Sequence, residues 1–206
     1  MNHHSVRGGS GDKRERILHS AERVFALKGY YGAKVSDIAE DAGVADGTIY
    51  LYFRSKDDLL ISLFEAQMDR VHAALAGATQ GPASASEKLR RFIRAYMDLT
   101  ADNRHGAEVI AIELRQSAKF MKEYKNPRFA EFLKLLAGII AEGQKAGAFR
   151  GDVPAPVAAR ALFGALDELT VAWVTSRDGK IDIRKAGDWI GNLVLQGLES
   201  APRNQR

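Results

Sequence analysis

The 206-residue chain is 46% hydrophobic and 27% charged, which excludes a disordered or fibrous protein and allows one core, or a small domain joined to a larger one. It has no cysteine, so disulfides, thiolate metal sites and cysteine nucleophiles are excluded, as suits a cytoplasmic protein. The formal net charge is only +4, and no apolar run approaches the roughly 20 residues of a membrane span, so no membrane partner is expected.

Residues 1–11 are polar and glycine-rich, without the apolar stretch of a signal peptide, and are expected to be a flexible tail, as are residues 201–206. From Asp12 onward apolar residues recur at helical spacing and almost nowhere alternate as in a strand. The expected fold is therefore all-α, with a short three-helix region over 12–56 and a larger helical region over 57–200. The first helix starts near Asp12 and ends at Gly29, with Ile17, Leu18, Ala21, Val24 and Phe25 on one face. Ser36 is the expected cap of a short second helix that stops at Gly43, and Asp46 the cap of a third that ends near Phe53. Ser55, with Asp58 three positions on, resembles a capping box and opens a long helix through Leu59, Leu60, Leu63, Phe64, Met68 and Val71. Gly77 to Ser86 reads as a loop. Helical faces follow at Leu89, Phe92, Ile93, Tyr96 and Met97, then at Val109, Ile110, Ile112 and Leu114. Asn126-Pro127 marks a helix start and Gly147 its end. The last two helices run from Val157 to about Thr175 and from Ile183 to about Leu198.

The two short helices around Asp41-Ala42-Gly43-Val44 have the form of a helix-turn-helix, in which Gly43 supplies the left-handed backbone of the turn. In the third helix Ile49 and Phe53, four apart, face inward and leave Thr48, Tyr50, Leu51 and Tyr52 on outward or flanking faces. So much aromatic surface on one short helix implies a large partner, and Gly47 lets the helix come close to a groove edge. Lys34, Ser36 and Lys56 are placed to reach phosphates on either side. The charge agrees: residues 1–34 hold Arg7, Lys13, Arg14, Arg16, Arg23, Lys28 and Lys34 against Asp12, Glu15 and Glu22, and subtraction from totals of 30 and 26 leaves 23 of each sign in the rest. By itself the pattern is equally that of a helical hairpin with surface tyrosines.

The stretch from about Asp12 to Phe64 resembles the DNA-binding domain of the TetR family. The resemblance lies in Phe25, Gly29 and Tyr30, in Val35-Ser36-Asp37-Ile38-Ala39, in Gly43-Val44, in Gly47-Thr48-Ile49-Tyr50-Leu51-Tyr52-Phe53 and in Ser55-Lys56-Asp57-Asp58-Leu59. It implies that 12–56 is a helix-turn-helix domain for a double-stranded DNA operator and 57–200 a ligand-binding and dimerisation domain. It also implies that Thr48, Tyr50 and Leu51 meet base edges or the groove, and that Lys34, Ser36, Tyr52 and Lys56 meet phosphates. Asp37, Glu40 and Asp41, which would repel DNA, are expected on the solvent side of the second helix.

Glu113-Leu114-Arg115-Gln116-Ser117, Phe163-Gly164-Ala165-Leu166-Asp167-Glu168 and Trp173-Val174 resemble the FadR-type branch of that family. Its members are repressors of fatty-acid degradation genes that respond to long-chain acyl-CoA. The resemblance implies a repressor that binds a near-palindromic operator as a dimer and is released by an acyl-CoA. The alternative is a repressor of an efflux or other catabolic operon sensing a different apolar small molecule. The residues offer matching chemistry. Arg115, Lys119 and Lys122 share a face if their helix is continuous and, with Arg128, can hold the phosphates of coenzyme A. Tyr96, Phe129, Phe132, Phe163 and Trp173 can line a slot for the tail, though they are equally an ordinary core under a wet lysine surface. Asp167 and Glu168 are either a polar anchor of the pocket or a pair tied to Arg160.

In the last two helices the small residues Ala158, Ala161, Gly164, Ala165, Ala172, Gly191 and Gly197 stand where helices meet closely. With Leu162, Leu169, Trp189, Ile190, Leu193, Val194 and Leu198 they are expected to build a homodimer as a four-helix bundle. No enzyme is expected: His3, His4, His19, His72 and His105 are scattered, and no catalytic residue, metal ligand set or cofactor loop is proposed beyond the effector site.

Overall fold

In the computed structural model, which describes residues 10–176 and 180–199, every regular element is a helix. The expected tails over 1–11 and 201–206 lie outside the described residues, except that Ser10 and Gly11 already belong to the first helix. In chain order the helices are α1 (Ser10–Gly32), α2 (Val35–Ala42), α3 (Asp46–Tyr52), α4 (Lys56–Ala78), α5 (Ala85–Asp102) and α6 (Arg104–Ala111). A 3-10 turn (Glu113–Gln116) follows, then α7 (Ala118–Lys122), α8 (Pro127–Lys145), α9 (Ala155–Thr175) and α10 (Ile183–Leu198). Among the described residues no helix is long and apolar enough to cross a membrane.

The chain divides into two compact units, and the division falls inside α4. The first unit runs up to Ala66 and takes in Ile112–Tyr124; the second comprises Gln67–Ala111 and the chain from Lys125 on.

In the first unit Ile17, Ala21 and Phe25 of α1 form a core with Ile38 and Ala39 of α2, Ile49 of α3, Phe53, and Leu59, Leu60 and Leu63 of α4, all buried. α3 is too short to be stable alone, so this burial holds it in place. The caps differ from expectation in an instructive way. Lys34, not Ser36, is the N-cap of α2, because the Asp37 carboxylate reaches back from the first turn to accept the Lys34 amide at 2.9 Å. Ala45, not Asp46, precedes α3, and Asp46 lies in its first turn, where a negative charge also meets the positive helix end. At α4 the Asp58 amide donates to the Ser55 hydroxyl (3.1 Å), while the Asp58 carboxylate accepts from the Arg54 amide (2.8 Å), a reciprocal cap displaced by one residue. Gly43 turns α2 toward α3 with φ 64° and ψ 40°.

In the second unit α5 packs on α10 and α8, α8 on α9, and α9 on α10 and α6. Leu89, Phe92, Phe132, Leu136, Ile140, Leu162, Leu166 and Leu195 fill the space between them. Asn126 caps α8 by accepting the Phe129 amide at 3.1 Å, with Pro127 as the first helical residue. Gly147 takes the left-handed position just past the α8 C-cap. Arg184 of α10 ties to Asp98 (2.8 Å) and Asp102 of α5.

Candidate functional site

The outer face of α3 carries the side chains expected to read DNA. Tyr50 is 57% exposed and Leu51 82%, whereas Ile49 and Phe53 are sealed at 1% and 2% and fix the angle at which the helix presents the others. Thr48 and Tyr52 are half-buried flanks, and a Cβ added at Gly47 would meet no atom within 4 Å, so the approach there is open. Lys34 and Ser36 are exposed at the start of α2. The acidic residues of α2 do not stand simply on a solvent side. Asp37 pairs with Lys28 of α1 at 2.9 Å, and Asp41 pairs with Arg23, leaving Glu40 exposed. Burial alone would raise the Asp41 pKa, yet the Arg23 guanidinium and the Ser20 hydroxyl hold it below the usual carboxylate value. Basic residues of α1 thus cancel charges that would otherwise oppose a polyanion, a pairing invisible until α1 and α2 are folded together.

Lys56 is engaged differently from expectation. Its ammonium donates to the carbonyls of Tyr30 (2.7 Å) and Ala33 (3.1 Å) and stands 4.5 Å from the Tyr30 ring centroid. An ammonium has three donors, so a phosphate can be offered only the third. No local pattern signals this, because the bonds go to main-chain carbonyls more than twenty residues away.

The basic stripe of Arg115, Lys119 and Lys122 does not form as expected, because the helix is not continuous. Arg115 lies in the 3-10 turn, and Ser117, with φ −78° and ψ 113°, interrupts the chain and caps α7 by accepting the Phe120 amide. Only Lys119 and Lys122 share α7. These three residues belong to the first unit and Arg128 to the second, where it pairs with Asp69 (3.0 Å) and Glu131 (3.4 Å).

The aromatic residues expected to line a slot do come together in the second unit. Phe129 and Phe163 meet edge to face with centroids 4.7 Å apart, and Phe132 packs on Phe163 at 5.5 Å and on Tyr96 at 5.6 Å. Phe132 is buried, whereas Tyr96, Phe129 and Phe163 are half-buried. Trp173 is not in this cluster: the Arg104 guanidinium lies 4.6 Å from its ring centroid and donates to the carbonyls of Trp173 and Val174, neutralising the C-terminal end of α9. Asp167 is half-buried and Glu168 exposed. An open groove of about 670 Å³ in the same unit is lined by His72, Lys88, Glu131, Lys134, Ile139 and Glu142 among others, with Lys88 paired to Glu142 at 2.8 Å. Neither this groove nor Arg104 was legible beforehand, since each joins helices far apart in sequence.

On the last two helices the outward residues are Val157, Ala161 and Gly164 of α9 and Trp189, Leu193 and Gly197 of α10, with Trp189 65% and Leu193 63% exposed. Gly191 and Ala158, expected on that face, are buried instead, and a Cβ at Gly191 would stand 3.2 Å from Ile93 of α5. Gly191 is small for the sake of its own fold.

Comparison with known proteins covers almost the whole chain. Residues 17–63 match the family described as bacterial regulatory proteins, tetR family, and residues 64–197 match the YsiA-like protein C-terminal region. The fatty acid metabolism regulator protein of Bacillus subtilis (strain 168) is 35% identical over 185 residues, which are 90% of this chain and 95% of that protein. Two solved structures resemble the fold at 35% identity, each over 90% of this chain and 99% of the other. The fatty acid degradation regulator FadR from Bacillus halodurans does so with a TM-score of 0.82, and FadR from Bacillus subtilis in complex with stearoyl-CoA with 0.83.

Proposed function

The chain belongs to the TetR family of bacterial regulatory proteins, and from that premise we propose that this DNA-binding transcription regulator is a repressor of fatty-acid degradation genes released from its operator by a long-chain acyl-CoA. The observation that carries the reading is the 35% identity to a Bacillus subtilis regulator whose structure holds stearoyl-CoA. In this reading residues 12–56 bind DNA and 57–200 bind the effector and dimerise. Thr48, Tyr50 and Leu51 enter the major groove behind the bare backbone of Gly47 and read base edges, and Lys34, Ser36 and Tyr52 anchor phosphates, with the remaining N–H of Lys56 beside them. A two-fold dimer through the outer faces of α9 and α10 sets the spacing of two headpieces and requires a near-palindromic operator.

The acyl tail lies among Tyr96, Phe129, Phe132 and Phe163. Trp173 and Asp167 are left outside this tail site. For the headgroup the reading narrows to cations of the same unit, Arg128 and Lys134, and Arg128 must exchange a carboxylate partner for a phosphate. The effector lowers DNA affinity only by binding more tightly to a state whose headpieces no longer match the half-sites. By linkage, operator DNA weakens acyl-CoA binding by the same factor.

The test is release of a duplex, selected by the protein from a randomised library, with stearoyl-CoA, stearate and free coenzyme A. Stearoyl-CoA is expected to release DNA at the lowest concentration, and replacing Arg128 and Lys134 together by alanine to narrow the gap to stearate. Equal potency of stearate and stearoyl-CoA on the unaltered protein overturns the headgroup reading. No response to any of the three overturns the effector.

A further inference from the structure

The run Glu113-Leu114-Arg115-Gln116-Ser117 lies within the first unit, not among the helices expected to bind the ligand. Its side chains converge on the end of α1 and the start of α4. The Glu113 carboxylate accepts the main-chain amide of Tyr30 at 2.5 Å. The Ser117 hydroxyl, in a residue 1% exposed, donates to Oδ1 of Asp57 at 2.5 Å, and the Tyr30 hydroxyl donates to the same oxygen at 2.6 Å. The Tyr31 hydroxyl donates to the Gln116 carbonyl at 3.0 Å. The three bonds made by Glu113, Gln116 and Ser117 join residues at least sixty positions apart in the chain, and with the Tyr30–Asp57 bond they form one network.

The backbone at this corner is specialised. Gly29 has φ 70° and ψ 163°, a conformation essentially confined to glycine, and it turns the Tyr30 amide toward Glu113. A Cβ there would stand 3.4 Å from the Glu113 carboxylate. From Tyr30 the network continues toward the recognition helix: Lys56 holds the carbonyls of Tyr30 and Ala33, Ala33 immediately precedes the cap of α2, and α2 packs against α3.

We infer that Glu113 and Ser117 are positioning residues for DNA binding, forming a clasp through which the state of the chain on either side of 112–124 is imposed on the angle of α2 and α3. The segment is joined to the chain of the second unit through the peptide bonds Ala111–Ile112 and Tyr124–Lys125, so a displacement of α6 or α8 on ligand binding is passed to it along the main chain. Charge-assisted bonds from a carboxylate to an amide and from buried hydroxyls to a carboxylate give the clasp direction, because neither survives a shift of an ångström or two. The network is discrete and can hold or let go, which is what a switch between two headpiece arrangements needs. The identity of the effector rests on the reading above; the clasp does not.

The experiment uses the full chain and compares Glu113→Ala and Ser117→Ala with Glu113→Gln, which keeps an acceptor oxygen for the Tyr30 amide. Three quantities are read: hydrogen exchange across α1, α2 and α8, binding of stearoyl-CoA without DNA, and its effect on affinity for the selected duplex. The two alanine variants should exchange faster at Tyr30 to Lys34 and in α2 while α8 is unchanged. They should bind stearoyl-CoA as the unaltered protein does, yet lose on the order of tenfold of its effect on DNA affinity. Glu113→Gln should restore most of that effect. Ser117→Ala also removes the cap of α7, so Glu113→Ala decides if the former unfolds. Unchanged exchange around α2, or full coupling despite loosened exchange, overturns the clasp. If stearoyl-CoA leaves DNA binding of the unaltered protein untouched, the effector reading fails and exchange alone decides the clasp.

Discussion

Tyr50 and Leu51 stand 57% and 82% exposed on a helix of seven residues, whereas in the second unit Phe132 is sealed at 1% within its aromatic cluster. Both sets are apolar groups offered to a partner in the proposed function, but they are prepared differently. The α3 face is complete before DNA arrives: Ile49 and Phe53 anchor it, and Arg23 and Lys28 cancel two nearby carboxylates. The aromatic cluster is closed on itself, with Phe129 edge-on to Phe163, so a tail must part rings that already satisfy one another. A preformed surface binds without reorganising, and a closed core binds only by changing its packing. The second arrangement suits a sensor, since the change of packing is itself the signal.

The largest test of this contrast removes one ring from each region. Phe132→Ala should lower unfolding stability by about 3–5 kcal/mol in urea, as a buried cluster demands. Tyr50→Ala should leave it within about 0.5 kcal/mol while weakening DNA binding severely. A destabilising Tyr50→Ala would mean that the α3 surface is core after all.

Gly164→Arg places a long cation on the outer face of α9, where a Cβ meets nothing within 4 Å. Sedimentation should show monomers that remain folded, with affinity for the selected duplex reduced about a hundredfold or more through lost bivalency. Gly191→Arg should unfold the chain instead, because it points at Ile93. A dimeric, DNA-binding Gly164→Arg protein would move the interface elsewhere.

A smaller effect separates the two kinds of DNA contact. Thr48→Ala should relax preference at one base pair by about 1–3 kcal/mol and leave other positions alone. Lys34→Ala should weaken all duplexes alike and reduce the salt dependence by about one unit per half-site. Interchange of these two signatures in a binding-selection experiment would reverse the assignment of base and phosphate contacts.

The same contrast explains what could be read from the sequence. Ile49 and Phe53 declared their inward face through a spacing of four, and α10 was bounded correctly at Ile183 and Leu198 by its local pattern. Local rules suffice where a short stretch decides its own geometry. They fail where a residue answers to something distant. Ser117 passed for a helical position in a basic stripe, but its hydroxyl caps α7 and binds Asp57, so Arg115 and Lys119 part company. Gly191 passed for a dimer contact because a helix of the same chain and a helix of a partner ask for the same small residue. Lys56 passed for a phosphate ligand because carbonyls leave no mark in the sequence.

Trp189, on the outer face of α10, has one further consequence. The chain has only two tryptophans, and the other, Trp173, lies beneath the Arg104 guanidinium, so their emission arises from two very different surroundings. A neutral quencher such as acrylamide reaches an indole in proportion to its contact with solvent, and Trp189 is the more open of the pair. Covering that face dims the quenching without any attached dye. The protein therefore carries an optical gauge of whether α10 faces water or another helix, readable as the solution is diluted.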